Sequence, residues 1–282
     1  GNAMRLKVRS LVGLLPLCAS TVFENGLIKR FPKLQELVAI FRKRHPEVLA
    51  HIAPFGGQFR GYKDRVILST LNKEKLLRVL KYMLDENEFF GPYGIRSLSK
   101  YHLDHPFVFH AGGQEHRVQY LPAESNTGMF GGNSNWRGPV WMPVNYLLLR
   151  ALFNLYQFYG NELKVECPTG SGREMNLYEV AQELAKRLTR IFLRDDDGKR
   201  AVYGGTRKFQ EDPHWKDYIL FYEYFHGDNG AGLGASHQTG WTGLVARILD
   251  VTGRIDAKQA LEVSRVEQPS KMVLQQVAVK SR

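Results

Sequence analysis

The fold of this 282-residue chain is decided first by the stretch PVNYLLLRALFNLYQFYG, residues 143–160. Apolar side chains recur in it at the i, i+3, i+4 spacing of a helix face, namely Val144, Leu147, Leu148, Ala151, Leu152, Leu155 and Tyr159. Pro143 suits the first turn of a helix, and Gly160 suits the position just past its end. The pattern therefore predicts an amphipathic helix over residues 144–159.

A second strong helical pattern covers residues 176–193. Asn176 is a good N-cap, and Glu179 three residues later completes a capping box. One apolar face follows, formed by Leu177, Val180, Ala181, Leu184, Leu188 and Ile191. Weaker patterns predict further helices over residues 10–24, 34–44, 73–86 and 239–250.

Strand signals are few, and long loops separate the helices. Residues 107–110 and 118–121 are predicted to form one β-hairpin. Gly-rich loops are predicted over residues 53–64, 122–139 and 167–173, and loops of this length in a compact domain usually carry function. The pattern indicates an all-α scaffold with its site on loops. The chain turns polar at residue 265, so a poorly ordered tail is expected over residues 265–282.

The composition is that of a globular protein, with 43% hydrophobic, 12% aromatic and 24% charged residues. The formal net charge of +11 and the pI near 9.6 bring nucleic acid or an anionic surface into consideration. Lys and Arg are, however, spread along the whole chain. The densest run, residues 42–44, ends a predicted helix, where cations favour the macrodipole. A generic basic surface is therefore preferred, with no nucleic-acid partner.

Cys18 and Cys167 are the two cysteines. Two thiols in a chain of this length do not form a disulfide framework, so free thiols in a reducing, cytoplasmic compartment are expected. No metal motif surrounds either one, and neither a metal nor a cofactor is predicted. No apolar run approaches the 18 residues of a membrane span, so no membrane partner is expected.

The N-terminus has two interpretations. Residues 1–3, before Met4, are typical of an expression scar. The basic and apolar stretch that follows imitates a signal peptide, but it also fits an amphipathic helix that Pro16 starts or kinks, and the helix is preferred.

Two segments, residues 128–145 and 212–241, hold more aromatic, amide and glycine residues than packing needs. A pyranose stacks its C–H faces on aromatic rings, and its hydroxyls bind amides, guanidinium groups and carboxylates. Candidate sugar-binding residues are Asn133, Asn135, Trp136, Arg137, Trp141 and Asn145 in the first segment, and His237, Gln238 and Trp241 in the second. Core packing is the alternative for each Trp, but their clustering with Asn, Arg and Gly favours a sugar site.

Glu223 is the candidate catalytic carboxylate. It lies among the large apolar and aromatic residues of the run 220–225, where an ionisable group is costly without a task or a partner. Two interpretations stand side by side: a buried Glu paired with an Arg, or the base that activates water in glycoside hydrolysis.

The motifs Trp-Arg-Gly-Pro-Val-Trp (136–141), Tyr-Glu-Tyr-Phe (222–225) and Gly-Ala-Ser-His-Gln-Thr-Gly-Trp (234–241) resemble glycoside hydrolase family 63, most closely its large bacterial glucosidases. The resemblance runs from about residue 6 to residue 249. It implies part of an (α/α)6 toroid over residues 4–264 and an inverting mechanism on α-linked glucosides or mannosides. It also implies that Glu223 is the general base, with Tyr224 beside the sugar pocket.

One departure from that family concerns the general acid. The family's acid is an Asp far upstream of the base, at a distance that falls at or before the start of this chain. The long helices also number about half of those in a closed toroid. We therefore expect a C-terminal fragment that lacks the acid. Its uncovered apolar helix faces lead us to expect that it either self-associates or is only marginally stable alone.

Most of the Asp residues present have structural explanations. Residues 195–198, Asp-Asp-Asp-Gly, are predicted to form a turn, because the other ligands of a calcium loop are missing. Three functions are therefore carried forward. The first is an α-glycosidase or its catalytic C-terminal part, and the second is an inactive carbohydrate-binding remnant. The third, a basic nucleic-acid binding protein, rests on net charge alone.

Overall fold

The computed structural model describes residues 5–24, 26, 30–49, 60–128 and 134–262. Over these residues it has nine α-helices, which are α1 Pro32–Arg44, α2 Pro46–Leu49, α3 Lys73–Met83, α4 Met142–Tyr159, α5 Leu177–Arg190, α6 Arg207–Glu211, α7 Thr239–Thr242, α8 Leu244–Arg254 and α9 Ala257–Glu262. Three short 3-10 helices accompany them at Tyr62–Asp64, Lys100–Leu103 and Ala201–Tyr203, and a longer one covers Leu11–Cys18.

The strands of the described residues form five antiparallel pairs: β1 Ser20–Phe23 with β2 Val66–Ser69, β3 Phe90–Gly91 with β4 Gly94–Ile95, β5 Phe107–Ala111 with β6 Gln114–Val118, β7 Lys164–Glu166 with β8 Glu174–Asn176, and β9 Tyr224–Phe225 with β10 Gly232–Leu233. Isolated bridges join Arg96 to Val140 and Val140 to Phe225, so three distant segments meet beside β9.

Helix α4 lies at the centre of the core. It packs against α5, α8, the Leu11–Cys18 helix and β1. Leu148, Leu152 and Leu155 are buried in this contact, as the apolar periodicity of the sequence predicts. The predicted helix over residues 144–159 is confirmed and begins two residues earlier.

The predicted helix over residues 176–193 is confirmed as α5, together with its N-terminal cap. The Asn176 side chain accepts a hydrogen bond from the Glu179 amide, and the Glu179 carboxylate accepts one from the Asn176 amide. Two orphan amides of the first turn are satisfied in this way. The helix ends at Arg190, three residues before the predicted limit.

The predicted helix over residues 10–24 is found only in its first part and in another helical form. A 3-10 helix covers Leu11–Cys18, and Ser20–Phe23 is a strand. The register pairs Val22 with Ile67 and Thr21 with Leu68. The β-branched Thr21 and Val22 fit a pleated strand, but the partner strand lies more than forty residues away, so local periodicity did not reveal the pairing.

Other predicted boundaries also change. Helix 239–250 divides at Gly243 into α7 and α8, while helices 34–44 and 73–86 are found as α1 and α3 with shifted ends. The second strand of the predicted hairpin is Gln114–Val118 rather than residues 118–121. Its turn lies at Gly112 and Gly113, both at positive φ, the conformation that glycine adopts without strain.

The fold class is mostly α, with about 44% of the described residues in α- or 3-10 helices, and the strands of this part of the chain are more numerous than predicted but short. The toroid stays a prediction. The expected scar, residues 1–3, the expected tail, residues 265–282, and most of the predicted loop 53–64 lie outside the described residues. In the described part of the chain, no helix combines the length and the apolar character that crossing a bilayer requires.

Candidate functional site

Glu223 lies one residue before β9 and is half-buried. Its Oε1 accepts a hydrogen bond from Ser134 Oγ at 2.8 Å, and its Oε2 lies 3.5 Å from the amide nitrogen of Ala235. These partners are a hydroxyl and a backbone amide rather than an arginine. Over the described residues, Glu223 thus shows no ion pair that would explain it as a purely structural carboxylate.

Gly234 leaves room for this carboxylate. Its φ is +71°, and a Cβ added there would lie 2.8 Å from Oε2 of Glu223 and equally close to the Tyr224 ring. Real Cβ atoms do not approach so closely, and L side chains rarely adopt this φ. A glycine is therefore required where the 234–241 motif passes Glu223.

Three aromatic rings surround Trp141. Trp136 stacks on it with centroids 4.0 Å apart and planes 4° apart, and Tyr224 stacks on it at 4.7 Å and 24°. Trp241 meets it edge-on at 6.2 Å and 89°. Trp141 is 2% exposed, whereas Trp241 is 38% exposed. Trp141 thus supports the cluster, and Trp136 and Trp241 lie nearer its surface.

Asn135 and Arg137 are fully buried and bind the protein itself. Asn135 Nδ2 donates to the carbonyls of Leu121 and Ala123, at 2.7 and 2.5 Å. The Arg137 guanidinium donates to the Ser125 hydroxyl and to Thr127 Oγ1, the latter at 2.6 Å. Burial lowers the pKa of Arg137. Both side chains therefore fix the loop over residues 121–128.

Asn145 is also buried, and its side chain also forms hydrogen bonds with backbone groups. Its Oδ1 accepts from the Ile95 amide at 2.7 Å, and its Nδ2 donates to the carbonyls of Ile95 and Trp141 at 3.0 and 2.9 Å. Asn145 thereby joins α4 to β4. The prediction that Asn135, Arg137 and Asn145 touch the sugar stays a prediction, and their described contacts are those of positioning residues.

His237 and Gln238 are exposed and lie beside the run that carries Glu223. The backbone N–H of Gln238 donates to the carbonyl of Phe221 at 2.7 Å, and His237 forms a parallel β-bridge with Phe221. The Thr242 hydroxyl donates to the carbonyl of Tyr222. The structure thus brings the two predicted motifs together. Asn133 lies outside the described residues.

Sequence reasoning missed two residues of this site, Ser134 and Glu124. Ser134 binds Glu223, and Glu124 accepts a hydrogen bond from the Tyr224 hydroxyl at 2.8 Å. Burial raises the pKa of Tyr224, and the hydrogen bond to Glu124 and the charges of Glu124 and Glu223 raise it further. Both residues lie in the predicted functional loop 122–139, but their residue types are too common to single them out.

Over the described residues, no group of three or more His, Cys, Asp or Glu side chains is arranged to hold a metal ion. Residues 195–198 do form a turn, in which Asp195 Oδ1 accepts from the amides of Asp197 and Lys199 at 3.1 and 2.8 Å. Cys18 and Cys167 are both free.

The chain is similar in sequence to a known protein family and to three curated proteins. Residues 66–242 match the family described as "Mannosylglycerate hydrolase MGH1-like glycoside hydrolase domain". Over 255 residues the chain is 50% identical to the Saccharomyces cerevisiae protein titled "Uncharacterized protein YMR196W". It is 27% identical over 179 residues to the mannosyl-oligosaccharide glucosidase of the same yeast, and 28% over 177 residues to a probable mannosyl-oligosaccharide glucosidase of Schizosaccharomyces pombe.

These alignments cover 89%, 63% and 62% of the chain, respectively. The chain in turn spans 23% of the first relative and 15% of each glucosidase. The family predicted from the 136–141, 222–225 and 234–241 motifs is thereby confirmed. The predicted kinship with its bacterial members stays a prediction.

Proposed function

This chain belongs to the MGH1-like glycoside hydrolase family, and we propose that it carries the general-base side of an inverting α-glycosidase site, with Glu223 as the base. The observation that supports this role is the setting of the Glu223 carboxylate. A hydroxyl and a backbone amide hold it, no cation neutralises it among its described partners, and an aromatic cluster adjoins it.

The proposed chemistry is a single displacement. A water molecule attacks the anomeric carbon as the bond to the leaving oxygen breaks, and Glu223 takes the proton of that water. Ser134 and Ala235 restrict the carboxylate to one orientation. A general acid must protonate the leaving oxygen, and we assign none of the described carboxylates to that step.

Sugar binding in this proposal combines stacking with hydrogen bonds. Trp136 and Trp241 offer ring faces or edges to a pyranose, supported from below by Trp141. The exposed His237 and Gln238 supply polar groups for hydroxyls. Asn133, from the same motif, is included in the proposal on sequence grounds alone.

The substrate class we infer is an α-linked glucoside or mannoside. The names of the relatives support this choice, since two are titled mannosyl-oligosaccharide glucosidases and the family description names mannosylglycerate. Glucose and mannose differ at one hydroxyl, and no described contact distinguishes them.

Glycosyl fluorides test the role of Glu223 separately from that of any acid. Fluoride leaves without protonation, so α-glucosyl or α-mannosyl fluoride needs only the base and the water. We expect the full chain to release fluoride, with the β-anomer of the sugar formed first in NMR spectra. Glu223→Gln should lower the rate by at least about 100-fold, because general-base catalysis contributes about 10²–10⁴.

The matched control is Glu162→Gln, an exposed glutamate of another loop, which should leave the rate unchanged. An unchanged rate in Glu223→Gln would refute the assignment. Sugar binding with no fluoride release by the unmodified chain would instead favour the carbohydrate-binding remnant. Binding of DNA with a steep salt dependence, and no binding of sugars, would favour the nucleic-acid alternative.

Two further properties belong to this proposal. The free thiols of Cys18 and Cys167 support a reducing, cytoplasmic location, which a fluorescent fusion would test.

The exposed apolar residues of α1, among them Leu37 and Phe41, support self-association. Light scattering that gives one monomeric mass over a hundredfold range of concentration would contradict it.

A further inference from the structure

Glu124 lies in a loop that is anchored on both sides of it. The Leu121 amide donates to the Arg137 carbonyl at 2.6 Å, and Asn135 binds the Ala123 carbonyl immediately before Glu124. Arg137 binds the Ser125 hydroxyl immediately after it. Two fully buried polar side chains thus serve to hold the backbone on either side of one exposed glutamate.

The Glu124 side chain is held as well. Its Oε2 accepts from the hydroxyl of Tyr224, a fully buried ring that stacks on Trp141 and directly follows Glu223. Over the described residues, Oε1 of Glu124 has no hydrogen-bond partner. The site therefore presents a carboxylate with one oxygen bound to Tyr224, the residue after the proposed base, and the other oxygen without a hydrogen-bond partner among the described residues.

The two segments that form the site carry more negative than positive charge, whereas the whole chain is positively charged. Residues 121–141 and 219–242 together contain one Lys or Arg, which is Arg137, although the chain carries +11 overall. Arg137 is 1% exposed, and its guanidinium is bound to Ser125 and Thr127. The carboxylates of these segments are Glu124, Glu223 and Asp228, and only Asp228 has an arginine partner, Arg96 at 3.0 Å.

We propose that Glu124 is a sugar-binding residue whose carboxylate accepts hydrogen bonds from substrate hydroxyls, and that it selects neutral glycosides over glycosides with an anionic aglycone such as glycerate. This inference rests on the proposed glycosidase function. It assigns a substrate class within that function, and it departs from the substrate that the family description names.

The physical reason lies in what each substrate offers to Glu124. A hydroxyl donates a charge-assisted hydrogen bond to a carboxylate, and these bonds are stronger than neutral ones. An anionic aglycone placed near Glu124 and Glu223 meets like charges, with no accessible cation from the two segments to offset them. Specificity then comes from repulsion of the wrong substrate as much as from attraction of the right one.

The test measures binding to the full 282-residue chain by isothermal titration calorimetry. The probes are methyl α-glucoside and methyl α-mannoside, which are neutral, and glucosylglycerate and mannosylglycerate, which are anionic. We expect the unmodified chain to bind the neutral probes at least about tenfold more tightly than the anionic probes. This ratio corresponds to a difference of about 1.4 kcal/mol in binding free energy. Release of fluoride from α-glucosyl fluoride, measured in parallel, reports on the proposed function.

Glu124→Gln removes the charge and keeps an oxygen that can accept from Tyr224. It should weaken binding of the neutral probes by about tenfold or more, since a hydrogen bond to a charged group contributes about 1.5–3 kcal/mol. It should also reduce the preference for neutral over anionic probes. Glu162→Gln should change neither value. Glu124→Ala provides a second variant, and an unchanged melting temperature shows that each variant is folded.

The outcomes separate the two proposals. Suppose that the unmodified chain releases fluoride and binds sugars, and that Glu124→Gln and Glu124→Ala keep its affinities for the probes and its preference for neutral ones. This inference is then wrong, while the proposed glycosidase function stands. If the unmodified chain prefers the anionic probes, the inference is equally wrong. If it binds no sugar and releases no fluoride, both proposals fail together.

Discussion

Gly234 shows how one residue sets the geometry of Glu223. Replacing it with Ala places a Cβ 2.8 Å from the Glu223 carboxylate at a φ of +71°. The carboxylate must move, and a displacement of about 1 Å in a catalytic group costs on the order of 100-fold in rate. We predict a loss of that size in fluoride release from α-glucosyl fluoride.

Gly240→Ala is the matched control, because it lies in the same segment and a Cβ there meets nothing within 4 Å. Its position inside α7 also favours Ala over Gly. Equal rates in the two variants would show that the space beside Gly234 is not needed for the reaction.

Arg137 shows, at the scale of one residue, which contacts a sequence motif leaves open. The sequence places an arginine between aromatic residues in a sugar-binding motif, which favours a substrate contact. In the structure its guanidinium donates hydrogen bonds to Ser125 and Thr127, and the substrate contact stays a prediction. The partners are ten and twelve residues away along an irregular loop, a relation that no periodicity encodes.

At the scale of elements, α4 determines the stability of the core. Leu152 is fully buried on this helix, whereas Leu147 of the same helix is 48% exposed. Leu152→Ala should lower the free energy of unfolding by about 2–5 kcal/mol, through lost burial and the cavity that remains. Urea denaturation followed by circular dichroism measures this change.

Leu147→Ala removes the same atoms from an exposed position of the same helix and should cost about 0.5 kcal/mol or less. If both variants were destabilised equally, α4 would not be buried on the face that the structure gives it.

The whole molecule depends on contacts that join distant segments around the site. Arg96 is 3% exposed and pairs with Asp228 at 3.0 Å, while Tyr120 donates to the same Asp228 oxygen. The ion pair spans 132 positions of sequence and fixes the turn after β9. Because it holds that turn, it also holds the strand that follows Glu223.

Asp228→Ala leaves the buried Arg96 guanidinium without its carboxylate. We predict a loss of about 2 kcal/mol in the free energy of unfolding, within the range for a hydrogen bond to a charged group, since Asp228 itself is partly exposed. Differential scanning calorimetry should record a lower melting temperature.

The control is Asp217→Ala. It removes an exposed carboxylate that pairs with Arg194 at 2.7 Å and with Arg200 at 3.9 Å, and it should cost at most about 1 kcal/mol. A loss in Asp228→Ala no larger than in this control would mean that the Arg96 pair does not stabilise the site.

The main helices of the core, the cap of α5 and the family could be predicted from the amino-acid sequence alone. These features depend on local information, because apolar spacing, a capping box at positions 176 and 179, and the three contiguous motifs can be read along the chain. It also identified Glu223 and the aromatic residues that the structure brings around Trp141.

Three features became visible only in the folded chain: the pairing of Ser20–Phe23 with Val66–Ser69, the burial of Arg137 and the placement of Glu124. Each of these depends on atoms that lie far apart in sequence. Tyr224 and Glu124 are a hundred positions apart, and nothing along the chain reveals that one hydroxyl meets the other's carboxylate. Local propensity fixes where helices form, whereas the packing of distant segments fixes which polar groups remain free for a substrate.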